Sequence, residues 1–78
     1  MMKSGGGIMQ ALAETRPGEV YKIKWMFGTP EILDFMKSHH IEEGRRIQVI
    51  QSWGGAVIVG TEDERVAISR DLAEKIKV

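Results

Sequence analysis

Cysteine is absent from the 78 residues. Its absence removes disulfide staples, thiolate metal ligands and thiol nucleophiles, and is compatible with a reducing compartment. Net charge is missing too: 11 Lys and Arg balance 11 Asp and Glu, whereas a general nucleic-acid binder clusters cations against phosphates. No apolar run is long enough to span a bilayer or to form the core of a signal peptide. The expectation is a cytoplasmic protein with no membrane insertion and no nucleic-acid partner. Aromatic residues are few, with two Trp, two Phe and one Tyr, too few for the aromatic-lined groove that grips proline-rich peptides. No GxxxxGK[ST] phosphate loop occurs, and Ser4, Thr15, Thr29, Ser38, Ser52, Thr61 and Ser69 follow no triad order. At this length one small core is expected, with no separate catalytic module, so the chain is not read as an enzyme.

What is present is concentrated between Gly44 and Val78. Three short apolar segments, Ile47 to Ile50, Ala56 to Val59 and Val66 to Ile68, are separated only by Trp53–Gly54–Gly55 and Thr61–Glu62–Asp63–Glu64. Runs of β-branched residues with brief glycine or acidic punctuation predict strands joined by tight turns, a meander that closes into a small barrel. Upstream, Arg16–Pro17–Gly18–Glu19 has turn chemistry, and in Val20 to Phe27 the residues Tyr21, Ile23, Trp25 and Phe27 alternate with Lys22, Lys24 and Met26. That period predicts one half-buried strand with Trp25 facing the core. Thr29–Pro30–Glu31 reads as a helix start, with Ile32, Leu33, Phe35 and Met36 as the apolar stripe of about two turns. Ile41 returns the chain to the core, and Glu42–Glu43–Gly44 turns it. Ser69 caps a helical turn before Ile76 and Val78 close the fold as a last strand. The expected architecture is mainly β: a five-stranded barrel with one short α-helix between the first and second strands and a helical turn before the last. Residues 1–7, with Gly5–Gly6–Gly7, read as a flexible tail, and 8–78 as a single domain.

Leu12–Ala13 before Pro17–Gly18–Glu19 and Tyr21–Lys22–Ile23, then the helix, Gly44 to Val49, Arg65 to Ser69 and Leu72 to Val78 together resemble the FeoA family, ferrous iron transport protein A. The resemblance implies an SH3-like domain, related to the C-terminal domain of diphtheria-toxin-repressor-type metalloregulators that respond to iron or manganese. It also implies a non-enzymatic accessory of bacterial ferrous iron uptake, cytoplasmic or peripheral to the inner membrane through its partner, the GTPase-bearing permease FeoB. The alternative it implies is a metal-binding or metal-sensing module of the repressor type. Where the family carries leucine-glycine-isoleucine after the helix, this chain reads His39–His40–Ile41. Either His40 adopts the left-handed cap at a cost of about 1 kcal/mol, or the helix runs longer.

His39, His40, Glu42 and Glu43 form the one cluster of metal-ligand side chains. Imidazole with carboxylate suits ferrous iron, manganese or zinc. Neighbouring histidines on a helix point about 100° apart, so any ion there takes few ligands and binds weakly; the same residues also serve as an exposed polar helix end. Phe35, Lys37 and His39, with Trp53 at its glycine turn, are the expected partner-binding residues, because tryptophan and exposed apolar groups anchor interfaces. Arg45, Arg46, Lys22 and Lys24 read as a basic face or as solvated strand flanks. Glu62–Asp63–Glu64 lacks the spaced oxygens of a calcium loop and reads as an exposed hairpin tip. Oligomerisation stays open at this level.

Overall fold

A computed structural model describes residues 9–78, so the glycine-rich lead expected at 1–7 lies outside the described residues. A 3₁₀ turn at Leu12–Glu14 precedes β1 (Val20–Lys22), β2 (Trp25–Met26), helix α1 (Pro30–Ser38), β3 (Arg46–Trp53), β4 (Ala56–Gly60), β5 (Arg65–Ser69), helix α2 (Arg70–Glu74) and β6 (Ile76–Lys77). The strands form two antiparallel sheets, one ordered β1-β3-β4-β5 and the other β2-β6.

The meander follows its alternation. Ile47 and Val49 on β3, Val57 and Val59 on β4 and Ile68 on β5 are buried, and the residues between them face out or lie half-buried. One irregularity changes the face. Val49 pairs with Val59 but the next pair is Gln51 with Ile58, so Ile50 is an extra residue in β3. A bulge of this kind reverses the facing of everything beyond it. Without it Trp53 would share the inward side of Ile47 and Val49; with it Trp53 pairs with Ala56 and is 56% exposed.

The first strand departs from expectation. It splits in two because consecutive residues bond to different sheets: the Ile23 amide donates to the Arg45 carbonyl (2.9 Å) and the Lys24 amide to that of Lys77 (2.8 Å). The side-chain phase shifts at this switch. Ile23 and Met26 point inward, while Trp25 and Phe27 are 47% and 37% exposed, so the core position expected for Trp25 is corrected. The five-stranded closed barrel is corrected as well. Ser69 accepts a hydrogen bond from the Leu72 amide (3.1 Å) and starts α2, which carries the chain from one sheet to the other, and β5 pairs only with β4. The result, among the described residues, is six strands in two sheets around a shared core.

Helix α1 is started as expected: Thr29 Oγ1 accepts from the Ile32 amide (3.3 Å) and Pro30 follows the cap. Gly28 precedes it with φ 151°, and a Cβ there would lie 2.9 Å from Ile32 Cγ2, so the close approach of chain and helix requires glycine. At the other end the helix stops at Ser38 and His40 takes φ 64°. The Ile41 amide donates to the Met36 carbonyl (2.8 Å) and the His40 amide to that of Lys37 (3.0 Å). This is the paired bonding of a left-handed C-terminal cap, and the two apolar residues that bracket it, Met36 and Ile41, are both fully buried. The left-handed conformation prevails although the residue is histidine.

Candidate interaction and metal site

The capped exit of α1 fixes where its side chains go. Anchored by Ile41, it presents His39 and His40 to the β4–β5 turn. That turn is ordered by Thr61: its amide donates to the Glu64 carbonyl (2.9 Å), and its Oγ1 accepts from the amides of Asp63 and Glu64, each at 3.3 Å. The two segments meet through their side chains. His39 Nδ1 lies 3.0 Å from Glu64 Oε2, and His40 Nδ1 lies 3.6 Å from Asp63 Oδ2. Arg45 spans Glu42 Oε2 at 3.5 Å and Asp63 Oδ2 at 3.8 Å. All these groups are partly exposed, so each pair contributes about 0.2–1 kcal/mol, and the histidine pairs are ionic only when the imidazole is protonated.

The four expected metal-ligand residues therefore divide. His39 and His40 turn to the hairpin tip, Glu42 pairs with Arg45, and Glu43 Oε2 accepts from the Met26 amide (3.4 Å) at the edge of β2. Among the described residues no group of three or more His, Asp or Glu side chains is gathered as an ion would need. Asp63 and Glu64, which sequence reasoning left as a solvated tip, are the true neighbours of the histidines. A pairing across 25 residues leaves no local mark in the sequence.

The expected partner-binding residues also separate. Phe35 is exposed on α1 with its ring 4.7 Å from that of His39, whereas Lys37, two residues from each, is exposed on another side of the helix, where it lines the groove with Leu33 and Met26. Trp53 stands at the β3–β4 turn, whereas the Asp63 and Glu64 neighbours of the histidines sit at the β4–β5 turn. The length of β4 separates the two turns, on the order of 15 Å at about 3.3 Å per residue. Two concavities flank these groups. A groove of about 310 Å³ lies between α1 and β2, lined by Met26, Leu33, Lys37, Glu42 and Glu43. An open cleft of about 610 Å³ runs along the outer sheet face past Val20, Arg46, Gln48, Ile50 and Arg65. Sequence reasoning missed a further exposed cluster on the β2–β6 ribbon: the Trp25 and Phe27 rings lie 5.0 Å apart, with Lys77 Nζ 5.7 Å from the Phe27 centroid. Among the described residues no helix is long and apolar enough to cross a membrane.

A family model described as the FeoA domain matches residues 10–78. Among solved structures, the chain is similar to an iron uptake regulatory protein, FeoA, at 25% identity and a TM-score of 0.83, over 91% of this chain and 96% of that one. It is similar also to a manganese-dependent transcriptional repressor, at 20% identity and a TM-score of 0.81, over 90% of this chain but 40% of the repressor. A manganese-bound complex of such a repressor gives 19% identity and a TM-score of 0.85, over 99% of this chain and 39% of the other. At these identities the repressors share the fold, and this chain spans about two fifths of their length. Among curated proteins no match is found.

Proposed function

We infer the function from one premise: the chain belongs to the FeoA domain family, whose model covers residues 10–78. On that premise the protein serves ferrous iron uptake as a non-enzymatic accessory on the cytoplasmic side. It acts by contact with the GTPase-bearing permease FeoB. The observation that carries the contact surface is the tilted Phe35–His39 ring pair. A capped helix end holds an exposed aromatic and an imidazole 4.7 Å apart, and two residues beyond the imidazole Ile41 is buried in the core. Preorganised apolar groups of this kind lose little freedom on binding. Such contact biases the permease only if it favours one nucleotide state over another.

The test is binding of the intact protein to the cytoplasmic part of FeoB without nucleotide, with GDP and with a GTP analogue. Affinity that differs between states, and that falls at least tenfold in Phe35→Ala, is expected for an anchor residue. No binding in any state by a folded protein would overturn the reading. A second reading, a weak divalent-metal response, is favoured by the imidazoles of His39 and His40 facing the Glu64 and Asp63 carboxylates, donor types that suit ferrous iron, manganese or zinc. Histidine resonances that stay in place through a zinc or manganese titration would remove it.

A further inference from the structure

The β2–β6 ribbon has an outward face that neither the partner contact nor the histidine cluster uses. Trp25 pairs with Lys77 and Met26 with Ile76. Met26 and Ile76 are buried, so alternation turns Trp25 and Lys77 outward. The Phe27 amide donates to the Lys75 carbonyl (3.1 Å), which brings Lys75, the C-cap residue of α2, alongside Phe27. Lys24 is exposed next to Trp25. Among the described residues none of Lys24, Lys75 and Lys77 takes part in an ion pair. In a chain of zero net charge, these lysines gather beside the aromatic pair while Asp63, Glu64 and Glu42 are occupied elsewhere and Glu43 is held at the β2 edge.

Both edges of the ribbon are closed. Glu43 accepts the Met26 amide at the β2 edge. Beyond β6, Gln10 and Val78 exchange both backbone hydrogen bonds (3.1 and 2.9 Å), and Ala11 bridges to Lys77. A peptide therefore cannot add as a strand at these positions, and the grooves that could grip one lie at other places. What remains is a face of two exposed aromatic rings with an exposed lysine, Lys24, and two half-buried ones, Lys75 and Lys77, close by. That chemistry matches an anionic lipid surface: aromatic rings settle at headgroup level, and lysine stems lie along the apolar layer while their ammonium groups meet phosphates. We propose that Trp25, Phe27, Lys24, Lys75 and Lys77 form a contact surface for anionic lipid headgroups, which holds the domain flat against a bilayer.

The test uses the full chain with Trp53→Phe, so that Trp25 is the reporter tryptophan, and needs no permease. Its failure is therefore distinct from failure of the FeoB reading. Vesicles of phosphatidylcholine and phosphatidylglycerol in equal parts are compared with phosphatidylcholine alone, by cosedimentation and Trp25 emission. Expected are binding and a blue shift with the anionic vesicles only, weakened by salt. Each surface lysine contributes about fivefold to such partition, so K75E/K77E lowers it by more than roughly tenfold. The double variant W25S/F27S abolishes binding while circular dichroism stays native. Absence of binding to anionic vesicles by the folded protein overturns the proposal, as does binding that both double variants leave unchanged. If K75E/K77E instead weakens capture by the FeoB cytoplasmic part and no vesicle is bound, the face belongs to a protein partner and the lipid assignment falls.

Discussion

The β3–β4–β5 meander and the β2–β6 ribbon feed the same core but reach it by opposite routes. The meander pairs neighbours in sequence through short turns, and up to the Ile50 bulge its inward residues alternate along strands of eight, five and five residues. The ribbon joins Trp25 to Lys77 across most of the chain with strands of two residues each. In the first, local alternation determines the face. In the second, the face is imposed by the switch between sheets at Ile23 and Lys24, and local alternation points the wrong way. A long strand averages over its register, whereas a two-residue strand inherits its phase from its partners.

The strongest attempt to break the comparison removes matched side chains from the two regions. Ile47 in the meander is 1% exposed and Ile76 in the ribbon 0%, and both lie in one buried cluster. Truncation of either to alanine is expected to cost about 3 kcal/mol, within the usual range for buried isoleucine. Urea unfolding should show equal losses and a single transition for both. A far smaller loss for Ile76→Ala, or two transitions, would make the ribbon a separable addition rather than half of a common core.

Legibility follows the same division. The inward residues of the meander, the Thr29 start of α1, Met36, the return of Ile41 and the Ser69 cap are readable because each rests on spacing or on a cap within a few residues. Trp25 and Phe27 were misread, since the kink at Ile23 and Lys24 is produced by hydrogen bonds to Arg45 and Lys77. Trp53 was readable as a turn residue, but its exposure depends on the Ile50 bulge, which no residue type announces. The candidate site was half legible: histidines mark themselves by chemistry, but Asp63 and Glu64 become their neighbours only through the packing of a distant hairpin. FeoA family membership was legible because it rests on the ordered set of segments rather than on any one of them.

A modest gain is expected at the exit of α1, where the backbone preference of one residue and the fold disagree. His40 holds φ 64° against the cost a Cβ carries there. His40→Gly relieves that strain, loses the exposed pair with Asp63, and increases the freedom of the unfolded chain; the net gain is at most about 0.5 kcal/mol. His40→Ala keeps the Cβ and should bring no gain. Urea midpoints of the two variants decide the point: if they coincide, backbone strain is not what histidine contributes at this cap.

The smallest losses test the comparison most directly. Had Trp25 continued the alternation of Tyr21 and Ile23 into the core, its truncation would cost about 3–5 kcal/mol. With its ring on the outward face against Phe27, Trp25→Ala removes one ring contact and only the half of the side chain's surface that is covered, so its cost should stay at about 1 kcal/mol. Trp53→Ala, exposed beyond the bulge, should fall within about 0.5 kcal/mol. The difference between these two small numbers measures the Trp25–Phe27 contact, because Trp53 has no aromatic neighbour among the described residues. A cost of several kcal/mol at Trp25 would place its ring in the core and close the ribbon face to any ligand. A small one leaves that face free, held in place by Met26 and Ile76 beneath it.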